Sequence, residues 1–74
     1  MQFSEKFKNR FHELVAMLGT DHPTTCSKAI GISRMTFINA YAFGKLPSMS
    51  TLRRIAKHFD ITVADLLGQV KDEL

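Results

Sequence analysis

The sequence lacks residues that would cross-link the chain and apolar runs that would hold it in a membrane. Its 74 residues include one cysteine, Cys26, so no disulfide can form within the chain and the fold must depend on packing, as in cytosolic domains. No apolar run approaches the roughly 20 residues that span a bilayer, and the first residues lack the apolar stretch of a signal peptide. We therefore expect one cytoplasmic domain over residues 1–74, with a core at about 7–68, a short tail at 69–74 and no membrane association.

The sequence also lacks the side-chain combinations that catalysis or metal binding requires. No pair of carboxylates, and no nucleophile with a base, can be placed together, and so short a chain has little room for an active-site cavity. The three histidines, taken with Cys26, match no zinc-binding spacing. We expect no enzyme activity, catalytic residue, metal, cofactor or small-molecule ligand, and we expect Cys26 to pack as a small hydrophobe.

Acidic residues are absent from the middle of the chain. Residues 22–59 contain no Asp or Glu, whereas residues 1–21 hold three cations and three acids, and residues 60–74 hold one cation and four acids. This distribution is stronger evidence for a polyanionic partner than the net charge of +3 or the pI of 9.4. The acid-free block has six cations: Lys28, Arg34, Lys45, Arg53, Arg54 and Lys57.

Apolar residues make up 45% of the sequence and recur at helical spacing, which predicts an all-α globule. Five helices are expected. They run from Ser4 to Leu18, from Pro23 to Ile30, from Arg34 to Phe43, from Ser48 through Phe59, and from Ile61 to Gly68. The residues expected to cap the first four are Ser4, Asp21 or His22, Ser33 and Ser48.

Side-chain patterns add finer expectations for three helices. In the fourth helix the buried stripe is expected to comprise Met49, Leu52, Ile55, Ala56 and Phe59. At the start of the fifth, Thr62 and Asp65 resemble a capping box. The polar face of the first helix is expected to be a solvated surface, formed by Lys6, Lys8, Asn9, Arg10, His12 and Glu13.

The second and third helices are predicted to form a helix-turn-helix. Gly31 can take the left-handed conformation that turns the chain, and Ser33 can cap the next helix only two residues later. On a helical wheel, Phe37, Ala40 and Tyr41 face the core. The opposite, outer face mixes polar and apolar side chains, namely Arg34, Met35, Ile38, Asn39 and Ala42.

Two stretches carry a resemblance to a known family. The segment IGIS joins the second and third helices, and GKLPSMSTLRRIAKHFDITVADLL leads through the fourth and fifth. With them, the chain from about Phe7 to Gly68 resembles the helix-turn-helix domain of phage repressors of the lambda repressor and Cro type (XRE-like). The resemblance implies a compact five-helix lambda-repressor-like fold and a transcriptional regulator whose partner is double-stranded DNA.

The chain departs from the family pattern at several positions. Pro23 stands where the family often has a Gln that bonds DNA, so that contact should be absent here. Tyr41 stands in the place of a frequent Glu, and no Arg of the first helix is positioned for it. One extra residue lies between Phe37 and Gly44, which leaves the positions after Tyr41 uncertain by one.

By hypothesis the third helix enters the major groove, where Arg34 bonds guanine and Asn39 bonds adenine. Apolar side chains of the outer face would contact thymine methyl groups. The candidate base-reading residues are Ser33, Arg34, Met35, Thr36, Ile38, Asn39 and Ala42. The candidate phosphate-binding residues are Thr24, Thr25, Lys28, Lys45, Ser48, Ser50, Arg53, Arg54 and Lys57.

A domain this small reads few base pairs, so we expect a homodimer on a pseudo-palindromic operator, with Leu67, Val70 and Leu74 at its interface. The expected role is that of a repressor, encoded by a bacterium or phage. The main alternative is a protein-interaction module of the same fold, antitoxin-like or an anti-repressor partner. Such a module would bury the apolar residues Met35, Ile38 and Phe43 against another protein.

Overall fold

The computed structural model describes residues 3–68, and this part of the chain folds into five α-helices and one π-helical turn. The helices are α1 (Glu5–Ala16), α2 (Pro23–Ile30), α3 (Arg34–Ile38), α4 (Met49–His58) and α5 (Val63–Leu66), and the π turn is Asn39–Phe43. β-structure in these residues amounts to one isolated bridge between Phe3 and Lys45. The expected all-α class is confirmed. Between residues 3 and 68, no helix has both the length and the apolarity to cross a bilayer.

Four helices begin with a side-chain cap. In each case a hydroxyl oxygen accepts a hydrogen bond from the backbone N–H three residues later, which satisfies one of the free donors of the first turn. The capping residues are Ser4, Ser33, Ser48 and Thr62. The exception is α2, where His22 occupies the capping position without a side-chain bond, and Pro23 follows as the first helical residue.

The first and last helices end or begin inside their predicted ranges. α1 ends at Ala16, before Leu18, because the amides of Met17 and Leu18 bond carbonyls three residues back and tighten the last turn. α5 spans Val63–Leu66 and not residues 61–68, since Thr62 is its cap.

The core lies where all five helices meet, and α1 contributes more of its buried residues than any other helix. Its buried apolar residues are Phe7, Phe11, Leu14, Val15, Cys26, Ile30, Phe37, Ala40, Leu52, Ile55, Ala56 and Leu66. The expected stripe of α4 is correct except at Met49, which is 51% exposed. Met49 is the first residue of α4, where the stripe runs past the end of the core.

The turn between α2 and α3 has the predicted geometry. Gly31 is left-handed, with φ of 89°, and the amides of Gly31 and Ile32 both bond the carbonyl of Ser27 at 2.8 and 3.0 Å. The side chain of Arg54 lies across this turn, with its Cδ 3.6 Å from the place a Cβ of Gly31 would take. α3 then starts three residues after Gly31, which completes the helix-turn-helix.

The third helix is not α-helical to its end. After Ile38 the chain continues as the π turn, where the Gly44 amide reaches the carbonyls of Asn39 and Ala40, and the Lys45 amide bonds the Asn39 carbonyl at 3.1 Å. A π turn contains more residues than one turn of an α-helix. Such a turn can accommodate the extra residue predicted between Phe37 and Gly44, and a regular α-helical wheel no longer applies beyond Asn39.

Gly44 ends the π turn against the start of α1. Its φ is +71°, and its carbonyl accepts a hydrogen bond from the Ser4 amide at 2.9 Å. A Cβ at this position would lie 2.9 Å from both the Cβ of Lys8 and the carbonyl oxygen of Ser4. Neither atom can move without shifting backbone, so the site excludes a side chain.

We expect Gly44→Ala to destabilise the protein more than Gly19→Ala. Both glycines are left-handed, which costs an alanine roughly 1–2 kcal/mol. Gly19 has no atom within 4 Å of its would-be Cβ, so the Gly44 variant should lose about 1–3 kcal/mol more through steric strain. Urea unfolding of the two variants measures the difference. Equal losses would contradict the tight contact between Gly44 and α1.

Candidate nucleic-acid interface

The segment Arg34–Phe43, which we call the reading segment, has one buried side and one open side. Phe37 and Ala40 are buried, as the sequence predicted. The exposed residues of the open side are Arg34, Met35, Ala42 and Phe43. The sequence placed Ile38 on this side as well, and that is wrong in part, because its side chain packs against the edge of the core.

The start of the reading segment is held by hydroxyl groups. The Oγ of Ser33 accepts from the Thr36 amide at 3.1 Å and donates to the Thr36 Oγ1 at 2.7 Å. Both side chains were expected to bond a base or a phosphate. In the free protein they bond each other, so Ser33 serves first as a helix cap and could contact DNA only through its remaining acceptor site.

A cleft of about 280 Å³ separates the reading segment from the start of α4. It brings two expected base-reading residues, Thr36 and Asn39, together with two expected phosphate-binding residues, Lys45 and Ser48. The Oγ of Ser48 caps α4 through the Thr51 amide at 3.4 Å. The cleft is lined by Thr36, Asn39, Lys45, Leu46, Pro47, Ser48 and Thr51. It is therefore mainly a polar groove at the side of the reading segment.

The other expected phosphate-binding residues are spread over α2 and α4. Arg54 lies across the turn at Gly31, whereas Thr24 is half-buried at the start of α2. The exposed members of the set are Thr25, Lys28, Ser50, Arg53, Arg54 and Lys57. Within residues 3–68 both salt bridges belong to Arg10, so the cations of the acid-free block form none with the described acids.

Tyr41 is fixed between two rings. Its ring stacks on His12 with centroids 3.9 Å apart and planes 5° from parallel, and on Phe37 at 5.4 Å and 14°. The Nε2 of His12 lies 2.6 Å from the carbonyl oxygen of Tyr41. His12 is exposed, as expected, but its ring also packs on Tyr41. The sequence placed no Arg of the first helix beside Tyr41, and the residue of that helix that meets it is His12.

Arg10 also departs from the expected solvated face of α1. Its guanidinium bonds Glu13 at 2.9 Å and Asp65 at 3.1 Å, and these bonds, with Glu13 first, raise the pKa of Arg10. The carboxylate of Asp65 therefore ties α5 to α1. The predicted capping box keeps its Thr62 half, in which Thr62 Oγ1 accepts from the Asp65 amide at 3.0 Å. Salt bridges this exposed contribute up to about 1 kcal/mol to the free energy of unfolding.

The family model of the Cro/C1-type helix-turn-helix DNA-binding domain matches residues 13–72. The chain belongs to this family. The match includes the helix-turn-helix, the cleft and α4, so the expected resemblance and the DNA-binding class are confirmed. No curated protein and no solved structure matches the chain.

The remaining expectations concern the ends and the single thiol of this Cro/C1-type domain. Leu67 is half-buried against the core, whereas Val70 and Leu74 lie outside the described residues. No group of three or more His, Cys, Asp or Glu in residues 3–68 is placed to hold a metal.

Cys26 is fully buried with its Sγ 3.2 Å from the Thr20 carbonyl, and burial, followed by the charge of Asp21, raises the pKa of its thiol. The structure thus favours a packed thiol over a thiolate nucleophile.

We expect Cys26 to make stability fall in alkaline solution. Because the folded thiol has the raised pKa, above about pH 9 the unfolded chain loses a proton that the folded protein keeps, so unfolding becomes easier as pH rises. The free energy of unfolding would fall by up to about 1.4 kcal/mol per pH unit. Urea unfolding between pH 7 and 10, compared with Cys26→Ala, isolates this contribution. The same pH dependence in both proteins would contradict it.

Proposed function

We propose that this Cro/C1-type domain is a sequence-specific transcriptional regulator that binds double-stranded operator DNA with the reading segment in the major groove. The observation that carries the proposal is the cleft that holds Asn39 beside Lys45 and Ser48. A side chain able to read adenine there adjoins two groups able to hold a phosphate. Base contacts specify and phosphate contacts position, so a DNA-reading surface needs both together.

Base reading falls to the open side of the reading segment. The exposed Arg34 is free to form two hydrogen bonds with guanine O6 and N7, and Asn39 can do the same with adenine N6 and N7. Met35 and Ala42 supply apolar contacts for thymine methyl groups. Ile38 has a smaller part in this scheme because the core holds part of its side chain.

Phosphate binding falls to the rim around that surface. Lys45 and Ser48 border the cleft, and the Arg54 guanidinium can reach a phosphate from the turn at Gly31. The exposed hydroxyls and cations elsewhere on α2 and α4 extend this rim. They are Thr25, Lys28, Ser50, Arg53 and Lys57. Charge of one sign over this region attracts DNA before any base is read.

We further propose that the protein is a repressor that acts as a homodimer. One reading segment covers few base pairs, and two domains of a dimer meet half-sites about 34 Å apart, one helical turn. Leu67 with Val70 and Leu74 remains the proposed interface. A bound dimer would repress by occupying DNA that polymerase or an activator needs, in the cytoplasm of a bacterium that encodes the protein or carries its phage.

A protein partner for the same surface is the second candidate. Met35 and Phe43 are 63% and 62% exposed, which is unusual for large apolar side chains on a surface meant for water. An acidic protein could cover both residues and use the surrounding cations. The absence of acids over residues 22–59 also suits DNA, which is why DNA remains the first choice.

We expect Arg34→Ala and Lys45→Ala to affect binding in different ways. Loss of a base reader should relax preference at one base pair by about 1–3 kcal/mol, whereas loss of a phosphate contact should weaken all sequences and lower the salt slope by about one. Selection of bound sequences from a random DNA pool, followed by salt titrations of the selected duplex, measures both. Lys6→Ala, which removes a cation outside the acid-free block, is the matched control for charge.

Two results would contradict the proposal. Equal losses on every sequence would remove Arg34 from base reading. No binding of the wild-type protein to random-sequence DNA at about 50 mM salt would exclude the DNA role and favour the protein partner.

A further inference from the structure

The end of the reading segment is held by α1 through contacts that the family resemblance did not imply. Tyr41 sits in the π turn with one ring face on His12 and the other on Phe37. His12 adds a hydrogen bond to the backbone of Tyr41. Neither residue faces the cleft, so a role in recognition must act through another side chain.

We propose that His12 and Tyr41 form a clamp that positions Asn39, and that this clamp determines base preference at the base pair that Asn39 reads. The inference rests on the proposed DNA-binding function. Both are positioning residues, since neither is placed to touch a base.

His12 bonds the carbonyl group of Tyr41. Carbonyls in the last turn of a helix have no partner within the helix and need one from elsewhere. The Nε2–H of His12 donates to this carbonyl over 2.6 Å, which makes His12 a side-chain cap for the end of the reading segment. A π turn is uncommon and frequently marks a functional site.

The ring of Tyr41 is held on both faces. Because His12 covers one face and Phe37 the other, the ring cannot turn without losing both stacks. Phe37 is itself fixed in the core, with its ring centroid 5.5 Å from that of Phe11. The π turn is therefore joined both to the core and to the surface of α1.

The clamp supports Asn39 and not Arg34. Asn39 is the first residue of the π turn, and its carbonyl receives the Gly44 and Lys45 amides from the end of that turn. A shift at Tyr41 would thus move Asn39. Arg34 lies at the opposite end of the segment, where Ser33 caps α3 and Gly31 sets the turn. The two base readers have separate supports.

The test compares base preferences of His12→Ala with those of the wild type by selection from a random DNA pool. The Asn39→Ala and Arg34→Ala profiles identify the base pair that each side chain reads. We expect His12→Ala to reduce preference at the Asn39 base pair by about fivefold or more, with preference at the Arg34 base pair and the salt slope unchanged. Tyr41→Ala should give the same profile as His12→Ala, whereas Tyr41→Phe, which keeps the ring, should keep the wild-type base preference.

Asn9→Ala, an exposed change on the same helix, is the control and should leave both preferences as they are. A loss of equal size at both base pairs would overturn the clamp, because it would report general destabilisation. Unchanged preference at both base pairs would also overturn it.

Amide hydrogen exchange provides a readout without DNA. The clamp predicts faster exchange of the Gly44 and Lys45 amides in His12→Ala, with the Phe37 amide, which bonds Ser33 in α3, unaffected. If the wild-type protein bound no DNA, the proposed function would fail while this experiment still decided whether the clamp exists. Unchanged exchange at Gly44 and Lys45 would overturn the clamp whatever the DNA result.

Discussion

The burial of Phe37 is the contact on which the remaining geometry depends. Its ring lies in the middle of the reading segment, 5.5 Å from that of Phe11 and 5.4 Å from that of Tyr41. Because helical side chains project in fixed directions, placing this one in the core decides which residues face outward. Gly31 and Gly44 turn the chain at the two ends. The open side is thus set by packing beneath it, while the residues on it are left free for a partner.

Local rules made much of this predictable. Capping depends on residues three apart, so Ser33 and Ser48 could be placed from the sequence, and the turn followed from Gly31. The His12–Tyr41 stack could not be predicted, because it joins residues 29 positions apart. For the site, exposure of Arg34 and Met35 followed from helical spacing. Ile38 was misplaced, because a wheel cannot show how far the core extends sideways.

Electrostatics and packing are divided between different parts of the domain. The described salt bridges join Arg10 to Glu13 within α1 and to Asp65, and the second of them fastens α1 to α5. The cations of residues 22–59 have no acid within their own block to neutralise them. One of these cations, Lys45, borders the cleft that also holds Asn39 and Ser48. Attraction to phosphate and recognition of bases can act on the same side of the molecule.

If the open side of the reading segment meets DNA, methionine methyl groups on and off that side respond differently to a duplex. Met35 lies on that side and is 63% exposed, whereas Met17, which is 73% exposed, follows α1 and lies outside the proposed interface. In ¹³C-methyl NMR spectra of the protein titrated with a random-sequence duplex at low salt, we expect a large shift or broadening for Met35 and little change for Met17. An unchanged Met35 signal in a protein that binds the duplex would contradict it.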